Sequence, residues 1–361
     1  MAMILIRRQF KQNAGTLGEI MVDLQLFASG NASLASVLGD LVASGVGQTG
    51  IHWQASPALT ELEEVTVDWL RQLVGLSPAW HGVLQDTAST STLVALVCAR
   101  ERSTDHAAAR GGLQAESAPL VVYTSRESHS SVEKAAALAG FGREHLRLIA
   151  TDAAHALDAD ALARAVEEDR AAGRRPCAVV ATTGTTASTA MDPIAAIARV
   201  TRAHGLWLHV DAAMAGSAMI CPELRTLWDG VEDADSIVFN PHKWLGVVFD
   251  CSAYLVRDPQ HLVRVMRTDP SYLRTAADGL APNYRDWGIP LGRRFRALKL
   301  WLHLRAHGAE ALRARIRRDV AHARWLADEV AATPGWRVVA PVPLQTVCVR
   351  HEPPGLDEDA L

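Results

Sequence analysis

The sequence predicts an α/β protein built on a mostly parallel sheet, and three observations predict it. Six short segments rich in Val, Ile and Leu lack the polar alternation of half-exposed strands, as strands buried on both faces do. Ala-rich stretches of helical character lie between most of them. The two kinds alternate along the chain, the order of parallel strands joined by crossover helices. The 361 residues are 49% hydrophobic and 21% charged, which supplies a large core and argues against disorder.

The first well-marked helix opens at Ser56-Pro57, where a serine suits the cap and a proline the first turn. Leu59, Leu62, Thr66, Trp69, Leu70 and Leu73 then recur at helical spacing. The expected strands are LVVYTS (120–125), HLRLIA (145–150), CAVVATTG (177–184), LWLHVDA (206–212), SIVFNP (236–241) and SAYLVRD (252–258). Helices are expected near 88–102, 130–140, 158–172 and 193–204. Two long amphipathic helices follow, roughly 292–306 and 308–332, then strand-like WRVVAP and LQTVCVRH. The polar GLDEDAL at the end reads as a helix start without a body, which suggests a C-terminal domain cut short.

Net charge is −4, so no global positive field draws nucleic acid or anionic lipid. Arginines cluster at 293–296 and 313–318 and read as solvated helix faces. The five cysteines are odd in number and form no CxxC pair, the pattern of reduced, buried thiols in a cytoplasmic protein. No apolar run reaches the length of a membrane span, and the charges of MAMILIRRQFKQ follow too short an apolar stretch for a secretion signal. Metal-ligand spacings, a Walker A loop, a GxGxxG after a strand and a GxSxG elbow are absent.

Four segments carry chemistry. In FNPHKW (239–244), Lys243 follows a strand and has apolar neighbours. A lysine so placed loses charge by desolvation and becomes a nucleophile suited to a Schiff base with a carbonyl cofactor. In HVDAAMAGSA (209–218), Asp211 ends an apolar strand. A carboxylate there needs a partner, which a pyridinium N–H supplies, although Asp211 read alone is equally a helix cap. In YTSRESHSSVEKAA (123–136), His129 precedes a helix that Ser130 or Ser131 could cap. Its imidazole is suited to lie on a cofactor ring, although a lone loop histidine is more often plain surface. In LQDTASTSTLVALVCARER (84–102), Thr87 and Ser89 open a helix whose backbone N–H groups suit a phosphate, and ordinary capping explains the cluster equally well. TTGTT (182–186) adds the Thr186 hydroxyl.

Taken together, NPHKW, HVDAA, SHSS, TASTSTLVAL, SPALTELE and IPLGRRFRALKLW resemble the group II pyridoxal-phosphate decarboxylases, the family of the aromatic-L-amino-acid decarboxylases. The resemblance runs from about Phe27 to the C-terminus. It implies the fold type I of pyridoxal-phosphate enzymes, with a mostly parallel seven-stranded sheet flanked by helices and a partial small C-terminal α/β domain. It also implies a shortened, atypical N-terminal segment at 1–55, a large cofactor-binding domain at 56–305 and the partial small domain at 306–361.

The same resemblance implies roles. Lys243 would attach pyridoxal 5'-phosphate, Asp211 would pair with its ring nitrogen, Ala213 would pack on the ring and His129 would stack on the other face. Ala88, Ser89, Thr186, Asn240 and His242 would surround the phosphate. TDPSYLR (268–274) resembles the family's catalytic loop, which makes Tyr272 the proton donor to the substrate Cα. Relatives that release an aldehyde tend to carry Phe there, so Tyr272 favours plain decarboxylation to the amine and carbon dioxide. Phe27, Ser29 and Trp53, with His129, would meet the substrate, an aromatic amino acid such as tryptophan, tyrosine or DOPA, while acidic and diamine-forming substrates stay open. A homodimer with its site at the subunit interface is implied as well. Met214 and Asp86 stand where many relatives have Tyr and Gly. Two other readings remain at this stage: another reaction on the same scaffold (an aminotransferase or a desulfurase) and a shortened, inactive cofactor-binding remnant.

Overall fold

The computed structural model describes residues 20–23, 32–268 and 281–352. In chain order its strands and α-helices are β1 (Ile20–Asp23), α1 (Leu34–Val46), α2 (Pro57–Val74), β2 (His81–Gln85), α3 (Ala88–Ser103), β3 (Leu120–Ser125), α4 (Ser131–Leu138), β4 (Leu146–Ile149) and α5 (Ala159–Ala171). They continue with β5 (Arg175–Thr182), α6 (Ile194–His204), β6 (Trp207–Asp211), β7 (Ser236–Phe239), β8 (Ser252–Val256), α7 (Pro259–Met266), α8 (Arg296–Ala331), β9 (Trp336–Val338) and β10 (Thr346–His351).

The central sheet has seven strands in the order β2-β8-β7-β6-β5-β3-β4. The run β7-β6-β5-β3-β4 is parallel, and β8 is antiparallel to both of its neighbours. Reversing twice leaves β2 pointing the same way as β7. The carboxyl ends of β2, β3, β5, β6 and β7 therefore open on one edge, where α/β sheets place their sites.

Both sheet faces are covered over β3, β5, β6, β7 and β8, as the unbroken apolar runs predict; β4 departs from the expectation, because it lies at the sheet edge and leaves Leu148 exposed. Val179 and Ala181 of β5, Leu208 and Val210 of β6, and Ile237 and Phe239 of β7 pack into one core. Ala178 and Val180, Trp207, and Val238 enter a second core on the opposite face. All six expected strands are present, each within two residues of its expected limits. HGVLQ was not anticipated because Gly82 and two polar ends hide its short apolar centre; Gly82 is needed because a Cβ there would lie 2.7 Å from Val67.

Several local expectations are corrected. Ser56 does not cap α2 with its side chain; its hydroxyl donates to the Thr49 carbonyl at 2.8 Å. Ser130 does not cap α4 with its side chain either. The helix after 290 begins only at Arg296, and the break between the two long helices falls at Gly308 (φ 72°, ψ 163°).

The arginine clusters are not uniformly solvated faces. Arg293 is buried and pairs with buried Glu63 through two contacts of 3.0 and 2.6 Å, while also donating to the Leu84 carbonyl at 2.7 Å. Arg296 grips Asp250 with two bonds of 3.0 and 3.1 Å. Arg315 donates to the Trp244 carbonyl at 2.7 Å.

A second, three-stranded antiparallel sheet has the order β1-β10-β9, so a strand from the N-terminal segment completes the C-terminal sheet. Cys98, Cys177, Cys221 and Cys251 are buried thiols. Among the described residues no helix is long and apolar enough to cross a membrane, and no group of three or more His, Cys, Asp or Glu is placed to hold a metal ion.

Candidate active site

The strand ends enclose a cavity of about 220 Å³ at the carboxyl edge. Every residue expected around the cofactor lines it: Ala88, Ser89, His129, Thr186, Asp211, Ala213, Asn240, His242 and Lys243. They come from five separate strand-end loops. Thr87, Ser131, Thr182, Gly184 and Met214 complete the wall.

After β2, Thr87 caps α3 by accepting the Thr90 N–H at 3.4 Å. Asp86 accepts the Thr87 N–H at 2.7 Å. Ala88 and Ser89 thus stand at the start of a 16-residue helix, where free N–H groups favour an anion.

After β3, the imidazole of His129 does the work expected of a serine. Its Nδ1 accepts the Ser131 N–H at 3.1 Å and lies 2.8 Å from the Ser131 hydroxyl. An accepting Nδ1 leaves the ring proton of neutral His129 on Nε2 and fixes the ring at the cavity wall.

After β5, the chain doubles back because Asp192 accepts the N–H groups of Thr182 and Leu157 at 2.7 and 2.8 Å. Burial pushes this carboxyl up to about 6. Gly184 sits in the turn with φ of 85°, and a Cβ there would lie 2.4 Å from that of Ala215. Thr182, Gly184 and Asp192 were not singled out from sequence. The signal available was a TTG directly after a buried strand, with an acid ten residues past Thr182.

After β6, Asp211 is 4% exposed. One carboxylate oxygen accepts the Ala213 N–H at 3.0 Å. Burial raises its pKa, while the Ala213 N–H and the nearby Lys243 pull it down. It does more than cap a turn: it is a buried carboxyl that lines the cavity beside Lys243.

After β7, residues 240–247 form a tight turn. The Asn240 N–H reaches the Ala213 carbonyl at 2.9 Å, the Lys243 N–H returns to the Asn240 carbonyl at 2.9 Å, and the Gly246 N–H reaches the Lys243 carbonyl at 3.1 Å. The Asn240 side-chain oxygen is buried without a partner. His242 accepts the Cys251 N–H on Nδ1 at 2.9 Å and meets the Phe249 ring edge-on. Burial, with the neighbouring Lys243 charge, pushes it down to about 4, so it is neutral at pH 7 and carries its proton on Nε2.

These residues fit pyridoxal phosphate. A buried carboxyl lining the cavity suits a cationic ring N–H, an unpartnered buried Asn oxygen needs a donor, and a helix start with hydroxyls suits a phosphate. Trp53 does not line this cavity: its backbone N–H donates to the Asn283 side-chain oxygen at 3.0 Å, and its indole N–H donates to Glu61 at 3.1 Å. Phe27, Ser29 and Tyr272 lie outside the described residues.

Residues 22–352 match the pyridoxal-dependent decarboxylase conserved domain. The chain is 44% identical over 332 residues to aromatic-L-amino-acid decarboxylase of Bos taurus, covering 88% of this chain and 68% of the relative. It is 41% identical over 333 residues to phenylacetaldehyde synthase of Arabidopsis thaliana, covering 90% and 67% respectively. The crystal structure of Oryza sativa TDC with PLP and tryptamine superposes with a TM-score of 0.87 at 40% identity, covering 91% of this chain and 70% of that one. The chain thus spans about two thirds of the length of these relatives.

Proposed function

The chain belongs to the pyridoxal-dependent decarboxylase family and is a pyridoxal-phosphate-dependent amino-acid decarboxylase, and from that premise we propose that it converts an aromatic L-amino acid (tryptophan, tyrosine or DOPA) to the amine and carbon dioxide. One observation carries the reading: Lys243, Asp211 and His129, drawn from three strand ends, face a single cavity together with the helix start at Ala88-Ser89. The names of the relatives support the aromatic class, since the bovine protein is an aromatic-L-amino-acid decarboxylase and the rice structure holds tryptamine.

When bound, the cofactor supplies an electron sink for the bond between Cα and the substrate carboxylate. Lys243 would hold the cofactor through its amine. Asp211 would pair with its ring nitrogen, whose cationic N–H would offset the burial that disfavours the carboxylate's charge. Ala213 and His129 would contact the ring, with the His129 Nδ1 fixed by the Ser131 N–H. Ala88, Ser89, Thr186, Asn240 and neutral His242 would hold the phosphate end. Tyr272 would return a proton to the substrate Cα, and Phe27 and Ser29 would contact the substrate side chain. The intact set of cofactor residues speaks against an inactive remnant.

We also propose a cytoplasmic homodimer with the site at its interface. The buried reduced thiols support the compartment. The dimer is supported by α1, whose Leu34, Leu38, Leu41 and Val42 are exposed along one helix face.

The test is a screen of cofactor-loaded protein against tryptophan, tyrosine, DOPA, phenylalanine, histidine and glutamate, with amine, carbon dioxide and aldehyde all measured. Amine and carbon dioxide from aromatic substrates are expected. Lys243→Ala should abolish both turnover and borohydride labelling of the cofactor, and the chain has only three other lysines to compete for the label. Aldehyde as the main product, amine from glutamate alone, or label on another lysine would overturn the reading.

A further inference from the structure

The turn that carries Lys243 has two sides. Its inner side contributes Asn240, His242 and Lys243 to the cavity. Its outer side is held by the second half of α8, some seventy residues further on. The buried Trp244 indole donates to Asp319 at 2.9 Å, and the Trp244 carbonyl accepts from Arg315 at 2.7 Å. Arg315 and Asp319 are four residues apart, so they project from the same face of one helix. The guanidinium also lies on Gly246 (φ 78°), where a Cβ would come within 2.6 Å of it. From the other flank, the Ser33 N–H reaches the Gly246 carbonyl at 2.9 Å.

We propose that Arg315 and Asp319 are positioning residues for Lys243: by gripping the Trp244 carbonyl and indole they fix the residue that follows the lysine, and so the place where its amine meets the cofactor. The proposal rests on Lys243 being the cofactor-bearing amine. The physical ground is that the peptide linking Lys243 to Trp244 sets the direction of the lysine Cα–Cβ bond. A four-carbon side chain amplifies any tilt at its root into a displacement of its amine. A bond to the Trp244 carbonyl fixes the peptide plane on its far side, a bond to the indole fixes its side chain, and Trp244 held at both points constrains the peptide that joins it to Lys243. Neither Arg315 nor Asp319 lines the cavity, so their effect passes through the turn itself, through Trp244 and, for Arg315, through Gly246. A half-buried guanidinium is costly to keep; burial lowers the pKa of Arg315 and the neighbouring Asp319 charge raises it. Asp319 thus serves as acceptor for the indole and as counter-charge for the arginine.

The test uses the full chain. Cofactor is added to apo-protein, and capture is followed by the visible absorbance and by borohydride labelling at Lys243, beside kcat, KM and the melting temperature of the apo form. Asp319→Ala and Arg315→Ala should slow capture and lower kcat by about 10- to 100-fold, the scale of a misplacement of about an ångström. KM should stay within about twofold, because substrate contacts are untouched. Asp319→Asn, which keeps an acceptor oxygen for the indole, should restore most of both rates. Variants that merely melt earlier, with wild-type capture and kcat per folded molecule, would overturn the proposal. Should the alanine variants not fold, Trp244→Phe removes only the donor while keeping an aromatic ring, and wild-type capture in that variant would overturn it equally. Failure of the unmodified protein to label at Lys243 would defeat the premise, whereas normal labelling with unaffected variants defeats the positioning role alone.

Discussion

Asp211 illustrates how one residue changes meaning with its surroundings. On a surface it would be a turn cap; here, 4% exposed and with one acceptor satisfied, its charged form is disfavoured until a cation arrives. The same burial that makes it costly makes it selective for a protonated ring nitrogen. Asp211→Asn keeps the shape and the possible Ala213 contact but cannot hold that proton. We expect kcat to fall by at least roughly a hundredfold, the scale of losing a preorganised electrostatic group, while borohydride still labels Lys243. Retained turnover in this variant would count against the ring-nitrogen role. His129 and His242 show a complementary device: in each, a backbone N–H occupies Nδ1 and so sets which edge of the ring can donate.

At the scale of elements, the site depends on five loops being held in register. The Glu63–Arg293 pair ties α2, the end of β2 and the segment before α8 together, since Glu63 also accepts the Leu84 N–H at 2.8 Å. Helix α1 is anchored on one side only. Gly39 lets it approach α8 so closely that a Cβ would lie 2.6 Å from the Lys299 Cα. Its other face shows Leu34 72% and Leu41 67% exposed. If a second copy covers that face, Leu38→Glu combined with Leu41→Glu should convert the dimer to a single-chain mass in sedimentation or light scattering. The helix itself should stay in place, because its buried side is unchanged. An unaltered mass would remove α1 from the interface.

Across the whole molecule, three histidines are buried in neutral form. Burial pushes His209 down to about 3, His242 to about 4 and His303 to about 3. A histidine whose folded pKa lies below its unfolded value binds fewer protons when folded, so stability falls as pH drops below about 6.5. Asp192, raised to about 6, and Asp211, raised by burial, act in the opposite sense, but two acids oppose three histidines. The apo-protein should therefore lose roughly 2–4 kcal/mol of unfolding free energy between pH 7 and 5. Denaturant midpoints across that range check it, and a flat profile would refute the neutral burial of these rings.

Most of the central strands, their burial on both faces and the place of the candidate site residues at their carboxyl ends were determined by sequence. Apolar runs encode burial locally, and NPHKW, HVDAA and SHSS each stand at the end of such a run and gain their meaning jointly, through the resemblance they carry. The weaker elements were not so marked: β2 has a glycine and polar ends, and the start of α8 at Arg296 depends on where distant Glu63 and Asp250 draw the arginines. Only the tertiary structure decided that Ser56 and Ser130 leave their caps unused, that His129 takes the Ser131 N–H, and that Arg315 and Asp319 reach back to Trp244. The reason is physical. Periodicity and turn chemistry act over a few neighbouring residues, whereas a buried polar group takes whichever partner the packed chain brings within about 3 Å.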